Sequence, residues 1–224
     1  KHTYENPFGF SWFVFYLLIL LLKPRNFSYI TNFNRMHNSE LQETLKSLFP
    51  KLKKESLNTF IKYSSYLKAN KSTKLISEGK KHDYFYLILK GGVKSYYSIE
   101  SREVCIWFAF ENEAIGTITT YEGLPSKETV ELLQDSELIR FEIEKIKELS
   151  QTDISVIHLL NNLVIEHTLC IEERLYQLKF MSSKKRYKTI LETTPELLQR
   201  VSLTDIASFL GISRETLSRI RSEV

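Results

Sequence analysis

The sequence predicts an α+β chain: an N-terminal antiparallel β-roll, a long helix suited to pairing with a second copy of itself, and a C-terminal helix-turn-helix domain of winged-helix type. Three observations predict it. Between Tyr84 and Ile143 the apolar pattern alternates with a period near two, interrupted by tight-turn residues. Between Asp153 and Lys179 the period returns to that of a helix, without proline or glycine. From Ser202 to Val224, two short amphipathic segments flank Gly211.

The chain of 224 residues is long enough for one or two domains with a real core. Its 42% hydrophobic and 26% charged residues place it among folded chains, neither disordered nor wholly embedded in a membrane. The two cysteines, Cys105 and Cys170, lie far apart and form no CxxC. That excludes a disulfide framework, a zinc knuckle and a cysteine-held iron–sulfur cluster, and it fits a reducing cytoplasm. The net charge of +4 is unevenly spread. The first 35 residues carry about +3, and the stretch from Lys184 onward again about +3, so the middle is slightly acidic. A basic end suits nucleic acid, but it also suits a solvated helix face.

The elements follow in order. Phe8 to Leu22 is an apolar run of about fifteen residues, short of the ~20 that a spanning helix needs, and Lys23, Pro24 and Arg25 close it. It precedes the first methionine, Met36, so residues 1–35 read as an apolar leader outside the native fold. Asn38 to Phe49 predicts an amphipathic helix with Leu41, Leu45 and Leu48 on one face, ended by Pro50. Lys53 to Leu67 predicts a second helix, with Leu57, Phe60, Ile61 and Tyr63 or Ser64 on its inner side. Strands are predicted at Tyr84–Lys90, Val93–Ile99, Glu103–Ala109, Thr129–Leu133 and Ser136–Ile143. Gly91-Gly92 joins the first two in a permissive turn. Residues 36–150 are thus expected to form one domain, 151–181 a dimerisation helix and 182–224 a terminal domain.

In the long helix, Ile157, Leu160, Val164, His167, Ile171 and Leu178 line one stripe at three- and four-residue steps, as in a paired helix. His167 reads as a partly buried interface residue rather than a pH sensor or ligand.

The terminal stretch SLTDIASFLGISRETLSRIRSEV has a physical reason at each position. Ala207 is small enough for a second helix to cross close by. Gly211 can take the positive φ of a tight helix-ending turn. Ile212 fills the gap between the helices, and Ser213 caps the second one. Turned at 100° per residue, that helix puts Leu217, Ile220 and Val224 toward the core. Arg214, Glu215, Ser218, Arg219 and Ser222 face outward, where a recognition helix meets base edges. Arginine can donate two bonds to guanine, and glutamate can accept from cytosine. Arg214, Glu215, Ser218 and Arg219 are therefore the candidate base readers. Ser213 and Thr216, near the helix N-terminus, are candidates for phosphate.

At SRETLSRI and at the YLILKGGV strand and turn, the sequence resembles the Crp–Fnr superfamily of bacterial transcription regulators. The resemblance spans Met36 to Val224, and the order of elements matches as well. It implies a cyclic-nucleotide-binding-like effector domain and a homodimer joined along the long helix. It further implies a near-palindromic site on double-stranded DNA, with RNA polymerase and a small-molecule effector as further partners. Within the resemblance there is a departure. Members that bind cyclic nucleotides carry a Gly-Glu pair for the ribose and an Arg-Ser or Arg-Thr pair for the phosphate. Here Thr117 follows Gly116, and Ser126-Lys127 stands where Arg-Ser would. Lys127 lacks the bidentate fork, and Glu128 and Glu131 would repel a phosphate. The candidate effector pocket is Gly116, Thr117, Ser126, Lys127 and Thr129, and its ligand is not expected to be cyclic AMP. No cofactor is evident. The clustered cysteines of the oxygen-sensing branch are absent, and nothing marks His82, His158 or His167 as a haem ligand.

Two other readings fit parts of the sequence. One is a ligand-binding module that acts on a protein partner, the helix-turn-helix serving as scaffold. The other is a membrane-tethered regulator anchored by residues 8–22, with Lys23, Arg25 and Arg35 keeping the downstream domains cytoplasmic. An enzyme is not expected: no P-loop, GxSxG, HExxH or Cys–His nucleophile pattern occurs, and Glu111 and Glu113 read as loop residues rather than a catalytic pair.

Overall fold

The structure, a computed structural model, describes residues 38–100 and 102–223. The apolar run at residues 8–22 lies outside the described residues, as does the core position expected for Val224.

Two helices open the described chain, α1 (Asn38–Leu48) and α2 (Lys54–Lys62). Leu41 and Leu45 of α1 and Leu57 and Phe60 of α2 are buried together. The sequence pattern carried the second helix to Leu67, whereas α2 stops at Lys62 and Ser64–Ala69 forms strand β1. Ser64, Ser65 and Tyr66 favour a helix weakly. A partner strand, with Ser64 opposite Phe141 through Ala69 opposite Ser136, supplies the hydrogen bonds that a helix would otherwise make. Leu67 and Ala69, two residues apart, then pack on the roll interior.

Strands β2 (Lys74–Ile76), β3 (Tyr84–Lys90), β4 (Val93–Ile99), β5 (Arg102–Ala109) and β6 (Ala114–Ile115) come next. The short helix α3 (Ile118–Tyr121), then β7 (Thr129–Leu132) and β8 (Ser136–Glu142), complete the roll. They form two four-stranded sheets, β1-β8-β3-β6 and β2-β7-β4-β5. Inward-facing Ile76, Ile88, Val93, Val130 and Leu138 are fully buried between them. Gly91 carries the β3–β4 turn at φ +114°, and a Cβ there would overlap the Ser136 side chain.

Helix α4 (Ile143–Ser150) and the start of α5 (Ile154–Phe180) pack with α1 and α2 on the outer side of the first sheet, around Leu87, Ile139 and Phe141. Asp153 caps α5 by accepting from the Ser155 amide at 2.8 Å. The 27 residues of α5 bury only Val156. Ile157, Val164, Ile171 and Leu178 stand 44%, 52%, 54% and 46% exposed, a half-open apolar seam at every seventh residue. Among the described residues, α5 is the one helix long and apolar enough to cross a membrane by length and composition.

Four helices finish the chain: α6 (Ser183–Thr193), α7 (Leu197–Arg200), α8 (Leu203–Leu210) and α9 (Arg214–Ser222). Their own core contains Tyr187, Ile190, Leu197, Ile206, Leu210 and Leu217. The side of α8 away from that core rests on β5.

Candidate nucleic-acid interface

The helix-turn-helix is α8, the turn Gly211–Ser213, and α9. Ser202 caps α8, its hydroxyl accepting from the Asp205 amide at 3.1 Å and donating to the Asp205 carboxylate at 2.8 Å. The helix ends at Gly211 with φ +66°, and the Ile212 amide reaches back to the Ala207 carbonyl at 3.0 Å. A Cβ on Gly211 would meet only Leu178, at an ordinary 3.6 Å, so the backbone rather than space demands glycine here. Ser213 caps α9 through the Thr216 amide at 3.2 Å. Leu217 and Ile220 are buried, which fixes the rotation of α9.

One anchor escaped the sequence reading. Arg186 in α6 is buried, and its guanidinium donates to the Leu210 carbonyl at 2.9 and 3.1 Å and to the Met181 carbonyl at 2.6 Å. A cation thereby closes the C-terminal ends of both α8 and α5. In sequence it is one more charge in a basic run, and nothing in the run marks it as inward.

With α9 fixed, Arg214, Glu215, Ser218 and Arg219 are exposed and line one shared open concavity. The Glu215 carboxyl is held below its usual range by its own backbone amide, by Ser213, and by the Arg214 and Arg219 charges. It is therefore an acceptor at neutral pH. Thr216 is half-buried, and its hydroxyl lies 3.1 Å from that of Ser213 and 3.4 Å from the Arg219 guanidinium. The two candidate phosphate-contacting hydroxyls thus also hold the helix start and the candidate base reader Arg219.

The candidate effector residues lie just before α3 and around the start of β7, where most of them serve the chain itself. Gly116 lies under the Phe85 ring, which a Cβ would overlap. Thr117 caps α3 and is buried. The Ser126 hydroxyl donates to the Glu128 carbonyl at 2.8 Å, and Thr129 accepts from the Glu78 amide at 3.2 Å. Lys127 is exposed. Glu128 turns inward instead, accepting from the Trp107 indole at 2.9 Å and from the Ser95 hydroxyl. Ser95 and Trp107 were not singled out in the sequence. The available signal was a serine at an inward β4 position, two residues after Val93 and opposite Trp107. Of the histidines, His82 accepts from the Ser77 amide at 2.9 Å, His158 is exposed and His167 is half-buried. Among the described residues, no group of three or more His, Cys, Asp or Glu could hold a metal.

A β-roll, a long connecting helix and a capped helix-turn-helix with a polar outer face make up the described fold. Residues 67–153 match the family model of the cyclic nucleotide-binding domain. The fold is similar to FixK2 from Bradyrhizobium japonicum, at 20% identity and TM-score 0.63 over 71% of this chain and 83% of that one. It is similar to CLP, the c-di-GMP responsive global regulator of Xanthomonas campestris, at 20% identity and TM-score 0.61 over 76% and 91%. A Eubacterium rectale protein described as a transcriptional regulator of the Crp/Fnr family matches at 19% identity and TM-score 0.64 over 77% and 83%. No curated protein matches in sequence. Residues 67–153 thus match a cyclic nucleotide-binding domain, and the fold around them is similar to that of these regulators.

Proposed function

We propose that this chain is a cytoplasmic DNA-binding transcription regulator of the Crp–Fnr type and not an enzyme. It works as a homodimer paired along α5 and reads a near-palindromic site through α9. The observation that carries this reading is the outer face of α9. Two arginines, an ionised glutamate and a serine share one open surface on a helix whose other side is locked into a core. The half-exposed seam of α5 supports the dimer, because a second copy would bury it. RNA polymerase is the protein partner that such a regulator would meet.

The effector, in this reading, is not cyclic AMP. Ser95 and Trp107, donors inside the roll, already serve the Glu128 carboxylate, and a cyclic phosphate would meet that negative charge. No cofactor enters the proposal.

Selection from random DNA tests the reading. The expected product is a pair of related half-sites about one helical turn apart, bound less tightly as salt rises. Arg219→Ala should cost about 1–3 kcal/mol and relax sequence choice at one position of each half-site. Enrichment of no sequence over the starting pool would refute the proposal.

A further inference from the structure

The helix-turn-helix is not held by α5 alone. Ser208 in α8 accepts from the Cys105 amide at 2.9 Å and donates to the Glu103 carbonyl at 3.1 Å. Strand β5 ends its sheet, so its outer backbone groups have no partner strand. One hydroxyl therefore satisfies both a donor and an acceptor on that edge. Beside it, Lys94 from β4 sits between Glu103 at 2.7 Å and Asp205 of α8 at 3.2 Å. Burial works against its charge, but the two carboxylates outweigh that and hold the ammonium above its ordinary range.

A second clamp lies at the β3–β4 turn. Arg200, ending α7, makes both bonds of a fork to Glu111, at 2.7 and 2.8 Å, and a third to the Gly91 carbonyl at 2.7 Å. Glu111 in turn accepts from the Gly91 amide at 2.9 Å, and the guanidinium stacks on Phe110 at 4.3 Å. Between the clamps, Phe209 of α8 packs on Phe108 at 5.3 Å, and Arg174 of α5 covers Phe209 at 3.9 Å.

Two properties of this seat carry an inference. Its bonds are directional, and a two-bonded arginine fork fixes angle as well as distance. They also leave Arg214, Glu215, Ser218 and Arg219 unused, so the seated domain keeps its outer face open. A dimer that grips two half-sites needs both reading helices at one spacing. Domains that swing freely would lower the effective concentration of the second helix at its half-site, while each could still bind one half-site alone.

We propose that Arg200, Lys94 and Ser208 are positioning residues for DNA binding. They hold the reading domain on β5 in one fixed orientation. The inference rests on the DNA-binding reading above and adds that the orientation is set by the chain's own contacts.

The test uses the full chain and two DNA probes, the selected two-half-site DNA and a single half-site. Arg200→Ala should weaken binding to the two-half-site probe about tenfold and leave the half-site probe within about twofold. Glu111→Ala should weaken the same probe, and the double variant should lose less than the sum of the two single losses, because the two side chains share one ion pair. Arg200→Lys, which keeps the charge without the fork, should fall between. Where Arg200→Ala fails to fold, Ser208→Ala carries the same comparison through the loss of one hydroxyl. Equal loss on both probes, or no loss on either, would overturn the positioning role and leave the DNA-binding reading standing. Wild-type protein that binds neither probe would overturn both.

Discussion

Ile171→Ala tests the α5 seam directly. Complete burial of an Ile, Leu or Val side chain stabilises by about 1.5–3 kcal/mol. Ile157, Val164, Ile171 and Leu178 are each close to half exposed, so a partner helix would cover the remaining half, worth about 0.8–1.5 kcal/mol per side chain. Four such residues on each of two chains give about 6–12 kcal/mol before the cost of association, which is of the same order. Such a seam makes a stable dimer only with most of its residues present. Because the substitution enters both chains, Ile171→Ala should remove about 2 kcal/mol, near a thirtyfold rise in the dimer dissociation constant. Sedimentation equilibrium across nanomolar to micromolar concentrations measures it. Glu172→Ala, an exposed neighbour on the same helix, serves as control and should change little. A wild-type chain that stays monomeric at tens of micromolar, or an Ile171→Ala dimer as tight as wild type, would refute the pairing.

Three further outcomes are expected. Gly211→Ala has room for its methyl group but must hold φ near +66°, so it should cost about 1–2 kcal/mol, read as a lower melting temperature of the terminal domain. The Glu111 carboxyl is pushed up by burial but pulled down further by Arg200 and the Gly91 amide, so it lies below its ordinary value of 4.5. Its contribution is therefore complete above pH 4.5 and lost as pH falls through the lower folded value, and acid-unfolding curves of Arg200→Ala should show a smaller component of this kind. Cyclic AMP at millimolar concentration should give neither binding heat nor a rise in melting temperature, and micromolar affinity would contradict the role given to Glu128.

Much of the architecture was legible in the sequence. β3 and β4 run over the residues that the alternating pattern delimits, and α5 begins one residue after the Asp153 cap. The helix-turn-helix was legible because its rules are local: a capping serine, a glycine at positive φ and apolar residues at helical spacing lie within about twenty residues of one another. Strand β1 was misread because weak helix formers come directly after a real helix and their strand partner is more than sixty residues away. The short strands β2 and β6 hold three and two residues, too few to establish a period.

The candidate sites divide in the same way. For Arg214, Glu215, Ser218 and Arg219, the sequence alone determined that they share the outer face of one helix, because a helix of known rotation orders its own side chains. It also determined the departures at Thr117, Ser126 and Lys127 from the residues that hold a cyclic nucleotide. Only the tertiary structure decided that Glu128 turns inward to Ser95 and Trp107, that Arg186 closes two helix ends, and that Arg200 and Ser208 seat one domain on the other. Most of those bonds join residues well separated in the chain, and no local period brings them together. Their direction is set by how two finished units pack, which a one-dimensional pattern does not encode.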